Sequence, residues 1–372
     1  MTAFRKCLGI LLVGLACLSG GLVRTAPLKA SEAIDSSVSF RFRDDWRTYK
    51  TTFLAPEGRV VDASQKGASH SEGQGTGMLL AAAADDREGF DRIWRWTRRH
   101  LQRSDGLFHW KYDPTAADPI TDPNDASDGD LLIAWALLRA SRLWHDAGYG
   151  KESSRIFDAI EKKLIRRVGG YTVLLPGAKY FDSDAGATIN PSYFIFPALQ
   201  DAAVERHSEK WIELYEDSLK FLRAARLGRF DLPPDWAYLS ARGTVRPVEG
   251  RKPTFGYDAM RIPLYLAWAG HVSSYHLKPF VQFWETYGGA RGAPSSINLK
   301  TGEFSKYAPE PGVVAIRDFV LAAYRARGRR SDPRDISASL PRVSAEDSYY
   351  SASLIMLSRL ALLDNRPAAA SR

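Results

Sequence analysis

The sequence predicts an all-α protein built from two concentric layers of helices. Residues 128–146 are apolar almost all round, which is typical of a helix with no face in water. Residues 86–101 instead carry Phe90, Ile93 and Trp94 on one face and arginines largely elsewhere, as a surface helix does. Because apolar and amphipathic segments alternate along the chain, the apolar helices are expected to form the inner layer.

About eleven helices, to within one or two, are expected in all, and loops rich in Gly, Pro and Asp join them. Besides the two segments above, helices are expected at 77–84, 151–166, 192–205, 208–226, 258–272, 276–287, 312–327 and 346–363. Short extended segments are expected at 107–112, 171–175 and 297–305. The last contains Lys300-Thr301-Gly302, which is typical of a hairpin turn. No linker rich in Pro or Ser interrupts the pattern, so residues 31–365 are expected to form one domain and 366–372 a disordered tail.

The first thirty residues have the layout of a secretory signal peptide. Arg5 and Lys6 precede an apolar run over residues 8–16, which is too short to span a bilayer. Cleavage is expected after Ala30 or near Ala26, with an uncleaved anchor or a lipoprotein as the alternatives. The mature protein is therefore expected in the periplasm or outside the cell, without a stable membrane anchor.

Removal of residues 1–30 changes the charge and the cysteine content. Four basic residues and no acidic residue leave, so the formal net charge falls from +8 to +4 and no nucleic-acid partner is expected. The only two cysteines, Cys7 and Cys17, leave as well. The mature chain therefore has no disulfide, no thiol nucleophile and no thiolate metal site.

The common motifs for metal, nucleotide and serine chemistry are missing from the sequence. None of the seven histidines belongs to an HExxH motif, and there is no GxSxG elbow. Neither GxGxxG nor GxxxxGK[ST] occurs, although residues 73–77 are rich in glycine. No metal and no cofactor are expected, and carboxylates are the leading candidates for chemistry.

Glu72 is the first candidate. It lies at the start of a helix, in the segment 71–78, where three glycines stand at alternate positions. Glycines let another backbone or a ligand approach closely, so Glu72 would point at whatever comes near. The alternative is that Glu72 is a first-turn acid that complements the helix dipole.

Asp128 is the second candidate, within the acidic segment 124–130 that precedes the apolar helix. Its three acids cannot all cap one helix, and one cap, Asp125 or Ser127, is expected. The remaining acids would lie at the positive end of the helix, which should keep a carboxylate ionised. The alternative is a cap accompanied by a surface acid.

Asp258 is the third candidate, because it opens another apolar helix and is followed by Arg261 three residues later. The functional interpretation is a base that the arginine keeps charged and oriented. The alternative is an ordinary ion pair between neighbouring turns, worth about 0.2–0.5 kcal/mol.

Aromatic side chains accompany these acids, and their exposed faces could stack on sugar rings. Trp110 is the best platform because it lies near the second acidic segment, whereas Trp135 is expected in the core. Further candidates are Trp94, Trp96, Trp236, Tyr257, Tyr349 and Tyr350. Carboxylates with aromatic platforms suit the hydrolysis of a glycosidic bond, which needs one protonated carboxyl and one ionised carboxylate.

Residues 126–144 resemble the signature of glycoside hydrolase family 8. The segments around Glu72 and Asp258 resemble those that carry the acid and the base of that family. Four further segments match in the same order along the chain, at 174–177, 190–193, 234–236 and 347–350. The resemblance extends from about residue 40 to about residue 362.

The resemblance implies an (α/α)6 barrel and an inverting endo-β-1,4-glucanase that acts on cellulose-type β-glucan. It makes Glu72 the general acid and Asp258 the general base, with Asp128 bound to the sugar at the cleavage point. It implies that Tyr193 helps to hold the attacking water and that Arg261 orients the base. The further residues that we expect at the substrate are Trp110, Asn190, Trp236, Tyr349 and Tyr350.

The resemblance specifies the substrate less closely than it specifies the type of reaction. The alternatives are a xylanase or chitosanase of the same family, or a non-catalytic glucan-binding protein on the same fold. The family often has a tyrosine where this chain has Thr76, so a sugar contact there is expected to be lost or supplied elsewhere. The resemblance is closest to periplasmic members that accompany bacterial cellulose synthesis, which makes a cellulose synthase complex a candidate partner for an expected monomer.

Overall fold

Twelve α-helices account for most of the residues that the computed structural model describes, which are 28–287, 294–327 and 332–365. They are α1 (Leu28–Phe53), α2 (Ser71–Ala83), α3 (Arg87–His100), α4 (Ser127–Trp144), α5 (Ala147–Lys163), α6 (Phe196–Arg206), α7 (Glu209–Ala224), α8 (Ile262–Trp268), α9 (Ser274–Tyr287), α10 (Pro311–Ala326), α11 (Pro333–Ser339) and α12 (Tyr349–Asp364). The predicted tail and all but the last three residues of the predicted signal peptide lie outside the described residues. None of the described helices is long and apolar enough to cross a bilayer.

The even-numbered helices form a closed inner ring. Each of α2, α4, α6, α8 and α10 contacts the next even-numbered helix, and α12 returns to contact α2. The odd-numbered helices pack outside this ring, so that the chain makes six outer–inner helix pairs. The predicted (α/α)6 barrel is therefore confirmed. One hydrophobic core runs from Val38 in α1 to Leu362 in α12.

Two glycines allow α2 and α4 to pack backbone against backbone. A Cβ atom on Gly75 would lie 2.6 Å from Cβ of Leu132 and 2.9 Å from the backbone nitrogen of Ile133. A Cβ atom on Gly129 would collide with the side chain of Ser71. The alternating glycines of α2 therefore serve at least in part for helix packing, which brings the first turns of α2 and α4 together.

Helix α1 was not predicted, although its buried side chains recur at helical spacing. These are Val38, Phe42, Trp46, Tyr49 and Phe53. The short helix α11 was also missed. The predicted helix over 258–272 is shorter than expected, because residues 259–261 form a 3-10 turn and the α-helix extends only from Ile262 to Trp268. The predicted helix over 151–166 ends at Lys163, where a strand follows.

Short antiparallel strands lead into the N-terminal ends of the inner helices. They pair as β1 (Ser69–His70) with β2 (Lys111–Tyr112), β3 (Ile165–Val168) with β4 (Tyr171–Leu174), and β9 (Thr254–Phe255) with β10 (Ile297–Asn298). A four-stranded sheet in the order β5-β6-β7-β8 contains Asp182–Ser183, Gly186–Ile189, Ala237–Ser240 and Val245–Pro247.

The extended segments predicted at 171–175 and 297–305 are present. In the second, the backbone N–H of Asn298 donates to the carbonyl of Glu303 at 2.7 Å, which closes the predicted hairpin. The segment predicted at 107–112 is regular only at its end, over Lys111–Tyr112. The four-stranded sheet was not predicted, because it pairs Ile189 with Ala237 across a long sequence separation that local patterns do not record.

A buried ion pair joins the first helix to the last. The side chains of Arg359 and Asp45 are 2% and 1% exposed, and their Nε and Oδ2 atoms lie 2.5 Å apart. Arg359 also donates to the carbonyls of Ser337, Leu340 and Pro341 at 3.1, 3.1 and 2.9 Å. Because the charge is both paired and hydrogen-bonded, its burial is tolerated.

We predict that Arg359→Met destabilises the fold by about 3–5 kcal/mol, because it leaves the Asp45 carboxylate with one partner fewer in the interior. Urea unfolding followed by circular dichroism measures the loss. The matched control is Arg325→Met, which breaks an exposed pair with Glu285 at 3.3 Å and should cost less than about 1 kcal/mol. Equal losses for the two variants would contradict the prediction.

Candidate active site

An open groove of about 520 Å³ lies at the N-terminal ends of the inner helices α2, α4 and α12. Six of the side chains predicted for the site line it: Glu72, Trp110, Asp128, Tyr193, Tyr349 and Tyr350. The other four, Asn190, Trp236, Asp258 and Arg261, lie behind or beside the lining. The groove therefore collects predicted site residues from segments that are far apart in the sequence.

The guanidinium of Arg261 holds the three candidate carboxylates together. Its Nη1 contacts Oε1 of Glu72 and lies 3.6 Å from Oδ2 of Asp128, while Nη2 lies 3.0 Å from Oδ1 of Asp258. Nη2 also donates to Oγ of Ser192 at 3.0 Å. Arg261 itself is only 4% exposed. The arrangement confirms that Arg261 does more than pair with Asp258 along one turn.

The two carboxyls expected to act as acid and base contact different terminal nitrogens of this guanidinium. Glu72 contacts one terminal nitrogen and Asp258 the other, and each side chain is about one third exposed. Two hydrogen bonds and the width of one guanidinium limit the separation of the contacting oxygens to roughly 8 Å. An inverting glycosidase needs about 6.5–9.5 Å between its carboxyls, which leaves room for a water molecule.

Asp128 is a carboxyl whose protonation is altered by its surroundings in the site. Burial raises the pKa of Asp128 to about 8, and the nearby charge of Glu72 acts in the same direction. Arg261 and a 2.8 Å hydrogen bond from the backbone N–H of Gly129 oppose these effects without cancelling them. The expectation that the helix end keeps Asp128 ionised is therefore wrong, because the cost of burying the charge exceeds the effect of the helix dipole.

Tyr193 lies over the same cluster. Burial and the charges of Asp128 and Asp258 raise the pKa of Tyr193 well above its usual value. The phenol therefore keeps its proton and can donate a hydrogen bond at neutral pH. Tyr193 is the last residue of a 3-10 turn over Pro191–Tyr193, which places Ser192 against Arg261.

Asn190 lies beneath the groove and is fully buried. Its Oδ1 accepts hydrogen bonds from the backbone N–H and the hydroxyl of Ser192, at 3.1 and 2.7 Å. Through Ser192 it supports Arg261, so the structure places Asn190 as a support of the cluster rather than on the groove surface. Thr76 is also buried, with 2% exposed, and does not line the groove.

The other acids of the segment 124–130 hold loops in place. Neither Asp125 nor Ser127 caps α4, so the predicted cap is wrong. Oδ1 of Asp125 accepts from the backbone N–H of Ala178 at 3.0 Å, and Oδ1 of Asp130 accepts from that of Phe108 at 2.8 Å. Burial raises the pKa of both carboxyls, for Asp130 well above its usual range.

The aromatic residues occupy two parts of the site. The ring of Trp110 lies 5.9 Å from that of His70 at an interplanar angle of 24°, and its Nε1 donates to Asp122 at 2.9 Å. Trp236 stacks on Phe181 with centroids 6.0 Å apart and stands beside Tyr193 at 6.3 Å. Both indoles are only half-buried, which suits a role as platforms for sugar rings.

The two tyrosines at the start of α12 border the cluster. The hydroxyl of Tyr350 donates to the backbone carbonyl of Tyr257, next to Asp258. Tyr349 packs edge-on against Phe53 of α1, with ring centroids 6.1 Å apart, and lines the groove. Trp135 is buried in α4, as expected.

Sequence patterns missed several groove residues. Asp62, Ser64, Gln65 and Glu310 line the groove from segments without a periodic pattern. Gln74 accepts a 2.6 Å hydrogen bond from the backbone of Val60 and so anchors the segment that carries Asp62. A polar residue at an inward-facing position of α2 is the only signal that could have suggested this role of Gln74.

Among the described residues, no group of three or more His, Cys, Asp and Glu has an arrangement that could hold a metal ion. The site consists instead of carboxyls around a buried guanidinium, with aromatic rings on either side. Such a site is typical of enzymes that hydrolyse glycosidic bonds.

Comparison with known proteins leads to the same class. Glycosyl hydrolases family 8 matches residues 22–363. An endoglucanase of Cellulomonas uda is 40% identical over 285 residues, which cover 76% of this chain and 79% of that protein. The crystal structure of an endoglucanase from Klebsiella pneumoniae, a family 8 glycosyl hydrolase, superposes with a TM-score of 0.80 at 40% identity, covering 87% of this chain and all of that one.

An endo-β-1,4-glucanase from Acetobacter xylinum superposes with a TM-score of 0.79 at 34% identity, and the match covers 88% of this chain and 98% of that one. The match of the family over nearly the whole chain decides the assignment. The chain belongs to glycosyl hydrolase family 8 and is a glycoside hydrolase.

We predict that Asp128 makes the fold less stable as the pH rises. Between about pH 4, where a free aspartate ionises, and about pH 8, the native protein keeps a proton that the unfolded chain has lost. Stability therefore falls with rising pH across this window. Asp128→Asn removes the effect, so the Tm of the variant minus that of the unmodified protein should be larger at pH 8 than at pH 5.

The control for this measurement is Asp332→Asn. Hydrogen bonds from Arg334 lower the pKa of Asp332, so it is ionised in both the native and the unfolded state from pH 5 to pH 8. Its Tm difference should not change over that range. A Tm difference for Asp128→Asn that is equally independent of pH would contradict the prediction.

Proposed function

We propose that this protein is an inverting endo-β-1,4-glucanase that hydrolyses cellulose-type β-glucan, with Glu72 as general acid and Asp258 as general base. The observation that carries this proposal is the pair of partly exposed carboxyls on opposite nitrogens of Arg261, beside an open groove. The names of the relatives, an endoglucanase and an endo-β-1,4-glucanase, support the same substrate class.

The proposed reaction is a single displacement. Glu72 gives a proton to the glycosidic oxygen as its bond to the anomeric carbon breaks. On the opposite face of the sugar, Asp258 takes a proton from a water whose oxygen forms the new bond, so the configuration inverts. Arg261 contacts and orients Asp258, and the neutral phenol of Tyr193 donates a hydrogen bond to the attacking water.

The acid role requires a change when the sugar binds. In the free protein Glu72 is paired with Arg261. Glu72 therefore has to leave this contact and take a proton from solvent before it can deliver one to the glycosidic oxygen. We assign Asp128, which lies beside the contact between Glu72 and Arg261, to bind the sugar at the cleavage point.

The substrate lies along the groove in this proposal. Trp110 stacks on one sugar ring, and Trp236 beside Tyr193 offers a platform on the other side of the cluster. Tyr349 and Tyr350 border the sugar next to the base. A groove open to solvent admits an internal stretch of a long polymer, as cleavage within the chain requires.

We also propose that residues 1–30 are a signal peptide, that 31–365 form one domain and that 366–372 lie outside it. The mature protein would act as a monomer in the periplasm or outside the cell, during bacterial cellulose biosynthesis and with a cellulose synthase complex as its partner. The charged and apolar pattern of residues 5–16 supports export. Helix α1 begins at Leu28, so cleavage after Ala30 shortens only its first turn, and mass spectrometry of the exported protein locates the cut.

We predict that Glu72→Gln and Asp258→Asn each lower kcat on soluble cellulose by about 10²–10⁴-fold, because each removes one proton transfer. Binding of a cello-oligosaccharide should remain measurable by calorimetry, since both substitutions keep the shape of the side chain. Glu310→Gln is the control, because Glu310 lines the groove but bonds to Ser348 rather than to Arg261. It should keep most of kcat, and near-normal turnover by either of the first two variants would reject the assigned role.

We predict that the first product of hydrolysis is the α-anomer, because a single displacement at a β-linkage inverts the configuration. Proton NMR during the first minutes of reaction, before mutarotation, distinguishes the anomers. A β-anomer would rule out the inverting mechanism.

The same product analysis on cellulose, mixed-linkage glucan, xylan and chitosan separates the remaining alternatives. Cleavage of cellulose and mixed-linkage glucan in preference to xylan and chitosan is expected. Preference for xylan or chitosan would indicate another activity of the family, and binding without cleavage of any polymer would indicate a glucan-binding protein.

A further inference from the structure

Asp235 contacts the turn that carries the proposed base from behind. Its Oδ1 accepts hydrogen bonds from the backbone N–H groups of Gly256 and Ala259, at 3.0 and 2.8 Å. These two residues enclose Tyr257 and Asp258, so one carboxylate oxygen ties together both ends of the turn. The backbone N–H of Asp235 also donates to the carbonyl of Thr254 at 2.7 Å, which anchors Asp235 to the strand before the turn.

The absence of a side chain at Gly256 permits this contact. A Cβ atom there would lie 3.0 Å from Oδ2 of Asp235, closer than a Cβ atom is normally found to a neighbouring atom. The turn is thus shaped to receive a carboxyl group at close range.

The other contacts of the turn act on different atoms. The hydroxyl of Tyr350 donates to the carbonyl of Tyr257, and Arg261 contacts the side chain of Asp258. Neither of them binds the two N–H groups that Asp235 binds. The three contacts together restrain both the backbone and the carboxylate of Asp258.

We propose that Asp235 is a positioning residue for the base: by binding the N–H groups on both sides of Asp258, it keeps that carboxylate aimed at the attacking water. This inference rests on the proposed role of Asp258. Asp235 does not touch the substrate and acts through Asp258. A displacement of about 1 Å at a reacting group can lower a rate by about 100-fold, so the contribution to turnover is large even though the residue is remote from the sugar.

The protonation of Asp235 indicates how to test this role. Burial raises the pKa of Asp235 to about 7, and the charge of Asp258 adds to the effect. The neutral form is therefore populated near neutral pH, and the carbonyl oxygen of a neutral side chain still accepts both N–H groups. An asparagine at this position should do the same, whereas an alanine cannot.

Asp217 offers a matched control. It is a buried carboxylate whose Oδ2 accepts a hydrogen bond from the backbone N–H of Thr172 at 2.7 Å, in the outer helix α7. It fixes a backbone as Asp235 does, but that backbone belongs to β4 rather than to the turn of Asp258. The Tm of Asp217→Ala therefore measures how much stability is lost with such an anchor when the turn of Asp258 is left intact.

The experiment compares kcat, KM and Tm for three variants of the full mature chain on soluble cellulose. Asp235→Ala should lower kcat by about 10–100-fold with KM within about 3-fold of normal. Asp235→Asn should keep kcat within about 3-fold, because the amide oxygen replaces the lost acceptor. Asp217→Ala should lower Tm while kcat, measured below that Tm, stays normal.

Two outcomes overturn the proposal: normal turnover by Asp235→Ala, or equal losses of kcat for Asp235→Ala and Asp235→Asn. The Asp258→Asn variant separates this failure from that of the proposed function. If Asp258→Asn is inactive and Asp235→Ala is normal, only the positioning role fails. If Asp258→Asn is active, the assignment of the base fails, and the positioning role fails with it.

Adding Asp235→Ala to Asp258→Asn tests whether the two residues act together. If Asp235 works through Asp258, the double variant should be no slower than Asp258→Asn alone. Multiplied losses would show that Asp235 acts by another route and would overturn the proposal.

Discussion

The site is organised by the burial of one positive charge, the guanidinium of Arg261. A cation that is 4% exposed is costly unless acceptor oxygens surround it, and the carboxyl groups of Glu72, Asp128 and Asp258 supply them. The same attraction therefore stabilises the interior and brings the two carboxyls proposed as acid and base to the two terminal nitrogens of one side chain.

The helical barrel makes this meeting possible. Glu72 comes from the first turn of α2, Asp128 from the first turn of α4 and Asp258 from the turn before α8. Because the inner helices are parallel members of one ring, their N-terminal ends lie at the same end of the barrel. Gly75 and Gly129 bring α2 and α4 closer than other residues would allow, which shortens the distance between the first two carboxyls.

Burial also distributes the protons within the cluster. Asp128 is the most enclosed of the three acids, and its pKa of about 8 means that it is protonated at neutral pH. Glu72 and Asp258 contact Arg261 and are each about one third exposed, so burial acts most strongly on Asp128.

Local patterns were sufficient for much of the fold. The inner helix α4 was predicted because all its faces are apolar, and α3 because its apolar residues share one face. The signature around Asp128 pointed to the candidate acids and to the barrel. Helix α1 was missed although Val38, Phe42 and Trp46 recur every four residues.

Sequence by itself determined the periodicity of the helices, the identity of the three acids and the family that they resemble, since each of these is recorded within a short segment. The tertiary structure alone decided that Arg261 contacts all three acids, that burial raises the pKa of Asp128 and that Asn190 lies beneath the groove. The physical reason is that solvent exposure and the distance between charges depend on residues far apart in the chain. No local pattern records either quantity.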